Sequence, residues 1–285
     1  MQGNIIQWFP GHMAQTRRAI KENLGSVDIV FELLDARIPQ SSRNPEIRAL
    51  LGDKKSVVIL NKEDLADPES TARWMKKFEE EGCGAVALDS KAGKGTQEVL
   101  AAARKLLKEK LQRDREKGMN RPIRAMVVGI PNVGKSTLIN RFAGSKKAQA
   151  ENRPGVTKQK QWVKAGPELE LLDMPGVLWP KFEDPTTGEN LAMTGAIKDS
   201  ILLSEEIACS LCGRLAAIAP DKLAARYKLN EAALADAEPY DIFCAIGKKR
   251  GMLVGGGEIN EERCAAMLLD EFRSGKIGRI TLEEP

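Results

Sequence analysis

A glycine-rich segment near the middle of the chain has the spacing of a loop that holds phosphate groups. Residues 129–136 read Gly-Ile-Pro-Asn-Val-Gly-Lys-Ser and follow an apolar run that begins at Ala125. Between a buried strand and a helix, this spacing turns successive backbone N–H groups toward an anion. Lys135 would reach the β- and γ-phosphates of a nucleotide, and the Ser136 hydroxyl would bind Mg²⁺. The residues predicted to contact the nucleotide here are Asn132, Val133, Gly134, Lys135, Ser136 and Thr137.

Two segments upstream of this loop have the composition of a guanine site. Residues 61–64 have the form Asn-Lys-x-Asp, whose carboxylate, Asp64, would accept hydrogen bonds from guanine N1–H and the exocyclic amine. Adenine would present an acceptor instead and leave the carboxylate unpaired. The affinity for guanine would therefore exceed that for adenine by orders of magnitude. Ser90 and Lys91 fit a supporting loop whose backbone N–H meets the guanine carbonyl. The predicted base-binding residues are Asn61, Lys62, Asp64, Ser90 and Lys91.

A downstream segment has the form expected of a sensor for the terminal phosphate. Residues 173–176 read Asp-Met-Pro-Gly, in which Asp173 would hold Mg²⁺ through water and the Gly176 N–H would contact the γ-phosphate. Thr157 lies between the phosphate loop and Asp173, and we predict that it completes the Mg²⁺ shell when GTP is bound. Lys135, Thr157 and Gly176 are therefore candidate catalytic residues, and the candidate Mg²⁺ ligands are Ser136, Thr157 and Asp173.

Apolar runs that alternate with helical patterns place these segments at the ends of strands. We predict strands at 27–34, 56–60, 85–88 and 125–129, and a strand pair at 161–165 and 168–172. Asn44-Pro45 and Asp67-Pro68 have the form of helix starts, and one long helix is predicted from 95 to 117. Such an alternation forms an α/β fold, a mostly parallel sheet with helices on both faces.

After Gly188 the strand pattern fades and the chain continues in short helices, for which Pro220, Pro239 and Asn260 are predicted start signals. We predict an N-terminal segment, 1–24, that packs on a nucleotide-binding domain, 25–185, and a small all-α C-terminal domain, 186–285.

The composition is that of a globular chain with a mild basic excess. The 285 residues carry a formal net charge of +4, which permits an anionic partner such as RNA without requiring one. No apolar run approaches the roughly 20 residues that cross a bilayer. Five scattered cysteines suit a reducing compartment, and the pair Cys209 and Cys212 lacks further zinc ligands. We expect a cytoplasmic protein with no membrane role.

The order of the motifs is unusual, because the base-reading segments precede the phosphate loop. In Ras-like GTPases the phosphate loop comes first and the base-reading motifs come last. A cyclic permutation leaves every motif at the carboxyl end of the same parallel strand, so the site survives intact. The chain after Gly176 then runs directly into the C-terminal helices, which would join the segments that respond to the γ-phosphate to a second domain.

With these residues in hand, the chain resembles the ribosome biogenesis GTPase A family of circularly permuted GTPases. The resemblance spans nearly the whole length, and its motifs begin at residues 8, 35, 61, 129, 173, 250 and 270. It implies a circularly permuted Ras-like P-loop GTPase domain that binds GTP or GDP with Mg²⁺. It also implies a cytoplasmic, monomeric assembly factor for the large (50S) ribosomal subunit, which contacts rRNA and ribosomal proteins of the precursor and is stimulated by the particle.

Two positions bear on how water and charge would be handled during hydrolysis. Where Ras-like enzymes have a glutamine that orients water, this chain has Val177, and the resemblance makes His12, the only histidine, the leading candidate for that role. A histidine that seats the N-terminal segment or contacts RNA is the alternative. Asn132 resembles the phosphate-loop asparagine of potassium-activated GTPases, and an asparagine that holds the turn of the loop is the alternative.

Basic residues of the C-terminal region suit contacts with RNA phosphates, although a solvated basic surface is the alternative. They are Lys248, Lys249, Arg250, Arg273, Lys276 and Arg279. A GTPase switch that acts on another RNA or on a protein effector, including one for small-subunit assembly, is the alternative function.

Overall fold

A six-stranded sheet with the strand order β3-β2-β1-β4-β6-β5 forms the centre of the molecule. The computed structural model describes residues 10–144, 161–179, 182, 184–197 and 204–285. Four neighbouring strand pairs are parallel, and the edge strand β5 runs antiparallel to β6. The strands are β1 (Ile29–Asp35), β2 (Ser56–Asn61), β3 (Gly84–Leu88), β4 (Ile123–Gly129), β5 (Gln161–Lys164) and β6 (Leu169–Asp173).

The central strand β1 shows why this segment forms a buried strand. All seven of its residues are buried, and successive side chains point to opposite faces of the sheet. Ile29, Phe31 and Leu33 join the core on one face, whereas Val30 and Leu34 join two smaller clusters on the other. The predicted α/β sheet with both faces covered is confirmed.

Helices flank the sheet and then continue as a helical region. Their bounds are α1 (Pro10–Asn23), α2 (Pro45–Leu51), α3 (Pro68–Glu80), α4 (Thr96–Leu106), α5 (Lys108–Glu116), α6 (Lys135–Ala143), α7 (Pro185–Met193), α8 (Ser204–Ile218), α9 (Pro220–Tyr227), α10 (Pro239–Lys249) and α11 (Glu261–Arg273). Among the described residues, none of these helices is long and apolar enough to cross a membrane.

The helix starts predicted at Pro220 and Pro239 are confirmed by the first residues of α9 and α10, and three others are confirmed by side-chain capping. Asn44 accepts hydrogen bonds from the backbone N–H groups that follow it, and Asp67 and Asn260 cap α3 and α11 in the same way. The single helix predicted from 95 to 117 is wrong, because the chain breaks at Leu107 into α4 and α5. The break separates a helix with a buried face from one in which no residue is fully buried.

The C-terminal helices pack around α8, which contacts α7, α9, α10 and α11. Their core is continuous with one face of the sheet, so that Phe31 of β1 and Leu211 of α8 belong to the same apolar cluster. Cys212 lies inside this cluster, where burial raises the pKa of its thiol well above the ordinary value. In the described part of the chain, no group of residues has the composition of a metal cluster.

Glu271 of α11 ties this helical region together and provides a test of its stability. Its carboxylate accepts hydrogen bonds from Arg226 at 2.5 and 2.9 Å and from the Tyr227 hydroxyl at 2.9 Å. The Arg226 hydrogen bond is the main cause of a lowered pKa for Glu271. A lowered pKa in the folded state stabilises the protein above the unfolded-state pKa of about 4.3, and this stabilisation is lost as the pH falls.

We expect Glu271→Gln to lower the free energy of unfolding by about 1–3 kcal/mol at pH 7, because the buried Tyr227 hydroxyl and the partly exposed Arg226 lose a charged acceptor. The loss should be smaller at pH 4, because the unfolded chain then binds a proton at this position more readily than the folded protein does. Urea unfolding at the two pH values measures both effects, with the exposed Glu262→Gln in the same helix as the control. An equal loss at both pH values would contradict the electrostatic explanation.

Candidate nucleotide site

The candidate site lies where the strand order reverses. From β1 the chain adds strands on one side, β2 and then β3, whereas from β4 it adds β6 on the other side. The carboxyl ends of these strands lie side by side, with Asp35 beside Asn61, Leu33 beside Gly129 and Val127 beside Asp173. Such a switch point opens a crevice at the carboxyl edge, which is where sheets of this class bind ligands.

The glycine-rich segment forms a tight loop between β4 and α6 at this edge. A Cβ at Gly129 would lie 2.5 Å from the Leu33 carbonyl oxygen, and one at Gly134 would overlap the Asn61 amide nitrogen. Asn132 and Gly134 both have positive φ angles, 56° and 104°. The backbone therefore curls closely, and α6 begins at Lys135 with its N-terminus facing into the loop.

Lys135 is folded into this loop. Its Nζ donates to the carbonyl oxygens of Gly129 at 3.1 Å and Ile130 at 2.8 Å, which uses two of the three ammonium donors. Burial lowers the pKa of Lys135 to about 8, although Asp173 opposes the shift. A Cβ at Gly176 would come within 2.7 Å of the same Nζ. Among the described residues no third acceptor contacts this ammonium group, which leaves its third donor for an anion bound between the loop and Gly176.

Asp173 ends β6 beside the loop and is only 3% exposed. Its Oδ1 is buried without a hydrogen-bond partner among the described residues, and burial raises its pKa to about 6 despite the opposing charge of Lys135. A buried, unpartnered carboxylate oxygen suits a hard cation, and Ser136 provides a hydroxyl at the start of α6. These two residues fit the predicted Mg²⁺ site.

Two predicted catalytic residues lie wholly or partly outside the described residues. Thr157 lies outside the described residues. Of His12, the structure describes only its backbone position in the first turn of α1.

Asn61 bridges the two halves of the site, a role that the sequence analysis missed. Its Nδ2 donates to the Val133 carbonyl oxygen at 2.6 Å, and its Oδ1 accepts from the Ser90 backbone N–H at 3.1 Å. The side chain is 1% exposed. Asn61 therefore joins the phosphate loop to the loop after β3, although these segments lie far apart in the sequence.

Lys62 and Asp64 occupy different positions relative to the crevice. Lys62 adopts a left-handed backbone conformation and donates to Asp35 at 2.9 Å. Asp35 also receives a two-pronged contact from Arg37, at 2.9 and 2.7 Å. Burial alone would raise the pKa of Asp35, but Arg37 and Lys62 hold it well below its usual range. Asp64 is exposed on a short 3-10 turn, Glu63–Leu65, where a base could reach it.

Ser90 and Lys91 complete the base side of the crevice. Ser90 is buried beside Asn61, and Lys91 is exposed with its backbone N–H bound to Asp89 at 2.8 Å. The guanidinium of Arg141 in α6 donates to the Lys91 carbonyl oxygen at 2.5 Å. The loop after β3 is thus fastened to the helix that follows the phosphate loop.

Comparison with known proteins shows the family to which this chain belongs. Residues 124–221 match the family model described as 50S ribosome-binding GTPase. The chain is 51% identical to ribosome biogenesis GTPase A of Priestia megaterium, over 98% of this chain and 97% of that protein. The chain belongs to the ribosome biogenesis GTPase A family. It is a GTP hydrolase with a P-loop GTPase domain, and its family binds GTP and GDP.

More distant relatives extend the comparison. The chain is 33% identical to mouse mitochondrial ribosome-associated GTPase 1, over 99% of this chain and 92% of that protein. The crystal structure of GNP-bound YlqF from T. maritima has a TM-score of 0.63 at 24% identity, and covers 95% of this chain and 98% of that one. At this identity the structural match concerns the fold alone.

In this GTPase the helical region touches the phosphate loop directly. The Asn132 side-chain amide donates to the carbonyl oxygen of Gly195, just after α7, at 2.8 Å. The end of α7 is in turn held by Arg273 of α11, which donates to the carbonyl oxygens of Met193 at 3.0 Å and Ala192 at 2.8 Å. A short chain of contacts therefore runs from α11 to the phosphate loop.

Proposed function

We propose that this GTPase assembles the large ribosomal subunit, and that the precursor particle stimulates its hydrolysis of GTP. The observation that carries the proposal is the contact between Asn132 and Gly195, which joins the phosphate loop to the helical region. A particle that holds the helices would thereby act on the nucleotide site. The match to a family described as 50S ribosome-binding supports the choice of subunit.

In this proposal, the crevice holds GTP through the phosphate loop and reads the base with Asp64. Lys135 and the backbone N–H groups of residues 132–137 bind the phosphates, and the Gly176 N–H contacts the γ-phosphate. Mg²⁺, when bound, supplies positive charge to the phosphates, and Ser136, Asp173 and Thr157 are the residues proposed to hold it.

The water that attacks GTP requires a positioning group other than residue 177. Val177 is 6% exposed and has an apolar side chain. We propose His12 for this role, with its segment brought to the γ-phosphate when the ribosomal particle binds. His12→Ala should leave GTP affinity unchanged and lower particle-stimulated turnover by about 10²–10⁴-fold, the usual contribution of general acid–base catalysis.

The rate of phosphate release with and without ribosomal particles measures this effect. The exposed Gln15→Ala, one turn further along α1, serves as the control. Undiminished stimulated turnover in His12→Ala would exclude the catalytic role and leave His12 with a structural or RNA-binding one.

We propose that a potassium ion binds near Asn132 and adds positive charge during hydrolysis. The Gly195 carbonyl engages the amide nitrogen of Asn132, which leaves the side-chain oxygen Oδ1 as a cation ligand. Hydrolysis should therefore be severalfold faster in potassium than in sodium at equal ionic strength. Equal rates in the two salts would show that Asn132 only holds the turn of the loop and binds no potassium ion.

We propose that the helical region, 186–285, contacts rRNA through the surface around Lys248 and Lys249. Both lysines are exposed, as are Leu253 and Val254 on the loop that follows. Other basic residues predicted for RNA are used within the protein: Arg250 is paired with Glu271, and Arg279 binds backbone carbonyl oxygens. The candidate RNA surface thus includes fewer basic residues than the sequence indicates.

Sedimentation with separated ribosomal subunits tests the proposed function. With a non-hydrolysable GTP analogue the protein should sediment with the large subunit, and with GDP it should remain unbound. Binding should weaken steeply as salt is raised if rRNA phosphates are contacted. Association with the small subunit, or with neither, would overturn the proposal in favour of a switch that acts on another target.

A further inference from the structure

The last residues of the chain cross back over the base-binding side of the GTPase domain. We propose that this segment, Arg279–Glu283, is a positioning element of the guanine site, because it holds the turn that carries Asp64. We call it the C-terminal strap. The inference rests on the proposed role of Asp64 in reading guanine, and the test below separates the two.

The strap forms hydrogen bonds with the backbone on both sides of Asp64. The guanidinium of Arg279 donates to the carbonyl oxygens of Glu63 at 2.8 Å and Ala66 at 2.7 Å. The backbone N–H of Ile280 donates to the Leu65 carbonyl oxygen at 2.9 Å. Three hydrogen bonds therefore fix the short turn whose exposed side chain is Asp64.

The strap continues past this turn toward α3. The backbone N–H of Asp67 donates to the Thr281 hydroxyl at 3.1 Å, and the Trp74 indole N–H donates to the Glu283 carbonyl oxygen at 3.1 Å. Ile280 and Leu282 are buried. The segment thus packs as part of the GTPase domain.

The far end of the strap is anchored by the Glu283 carboxylate. It accepts hydrogen bonds from the backbone N–H groups of Gln40 at 2.7 Å and Ser41 at 3.0 Å, and from the Asn190 amide at 2.9 Å. The backbone N–H of Leu282 donates to the Arg37 carbonyl oxygen at 2.8 Å. The anchor therefore lies on the loop after β1 and on α7.

The helical region also forms hydrogen bonds with the strap. Lys222 of α9 donates to the Arg279 carbonyl oxygen at 2.7 Å, and Arg214 of α8 donates to the Leu282 carbonyl oxygen at 3.1 Å. The base-reading turn is thus coupled to α8 and α9, just as the phosphate loop is coupled to α7.

Fixing this turn matters because Asp64 must meet two donors of the base at once. The turn's own hydrogen bonds are short-range, from Leu65 N–H to the Lys62 carbonyl at 3.0 Å and from Ala66 N–H to the Glu63 carbonyl at 3.2 Å. A carboxylate already held in the bound geometry loses less conformational freedom when the base binds. Loosening the strap should therefore weaken the part of nucleotide affinity that depends on Asp64.

The test compares GDP with inosine diphosphate, which lacks the exocyclic amine that Asp64 would read. In the full chain, Arg279→Ala should reduce GDP affinity by about tenfold, the effect of losing a charged hydrogen bond. Affinity for inosine diphosphate should fall less, so that the preference for GDP shrinks. Glu283→Gln, which weakens the anchor while conserving its shape, should shift the preference in the same direction.

Two further variants calibrate the result. Glu284→Ala removes an exposed pair with Arg73 just beyond the strap and should leave the preference unchanged. Asp64→Asn should abolish the preference for GDP. If it does so while Arg279→Ala and Glu283→Gln retain the full preference, the strap proposal is overturned and the role of Asp64 stands. If Asp64→Asn retains the preference, the guanine assignment fails and the strap proposal fails with it.

Discussion

Replacing Lys135 with methionine is expected to lower the affinity for GTP and GDP by about a hundredfold and to abolish hydrolysis. The substitution removes the charge that would pair with the β- and γ-phosphates. It also removes two hydrogen bonds inside the loop, to the carbonyl oxygens of Gly129 and Ile130. Methionine keeps most of the length of the side chain, so the variant isolates the ammonium group.

Titration with a fluorescent GDP analogue measures the affinity, and phosphate release measures turnover. Lys76→Met is the matched control, because Lys76 has a side chain 80% exposed on α3. Thermal unfolding of both variants shows whether the loop or the whole domain is affected. Nucleotide affinity close to that of the unaltered protein in Lys135→Met would exclude this loop as the phosphate site.

The sequence predicts those features that depend on neighbouring residues. The buried strands, the caps at Asn44 and Asp67, and the loop between β4 and α6 all follow from local patterns of apolar, capping and glycine residues. The circular permutation follows as well, because the motif order is written in the chain and parallel strands align their carboxyl ends.

Contacts between distant segments leave no local pattern, and these were missed. Arg279 looks like one member of a basic cluster, yet it binds carbonyl oxygens more than 200 residues away in sequence. Asn61 is predicted to bind the base, but no local pattern shows that its side chain also joins Val133 to Ser90. The hydrogen bond from Asn132 to Gly195 cannot be predicted from the sequence either, because its acceptor is a backbone carbonyl oxygen, which every residue has.

Gly134→Ala is the second variant expected to have a large effect. Gly134 has a φ angle of 104°, where a side chain costs about 1–2 kcal/mol, and its Cβ would overlap the Asn61 amide. Displacing Asn61 would break its hydrogen bonds to Val133 and Ser90, at about 1 kcal/mol or more each. Together these costs predict a loss of GDP affinity on the order of a hundredfold.

Gly144 provides a control that separates the strain of a positive φ angle from the collision with the Asn61 side chain. Gly144, at the end of α6, also has a positive φ angle, 64°, but a Cβ there meets nothing within 4 Å. Gly144→Ala should therefore reduce stability slightly and leave GDP affinity unchanged.

The GDP affinities of Gly134→Ala, Asn61→Ala and the double variant form a double-mutant cycle. If the collision contributes, the double variant should lose less affinity than the sum of the two single losses, because the side chain that the added methyl group would displace is already gone and only the backbone strain at residue 134 remains. Strictly additive losses would mean that the added methyl group acts through backbone strain at Gly134 alone and that its collision with Asn61 contributes nothing.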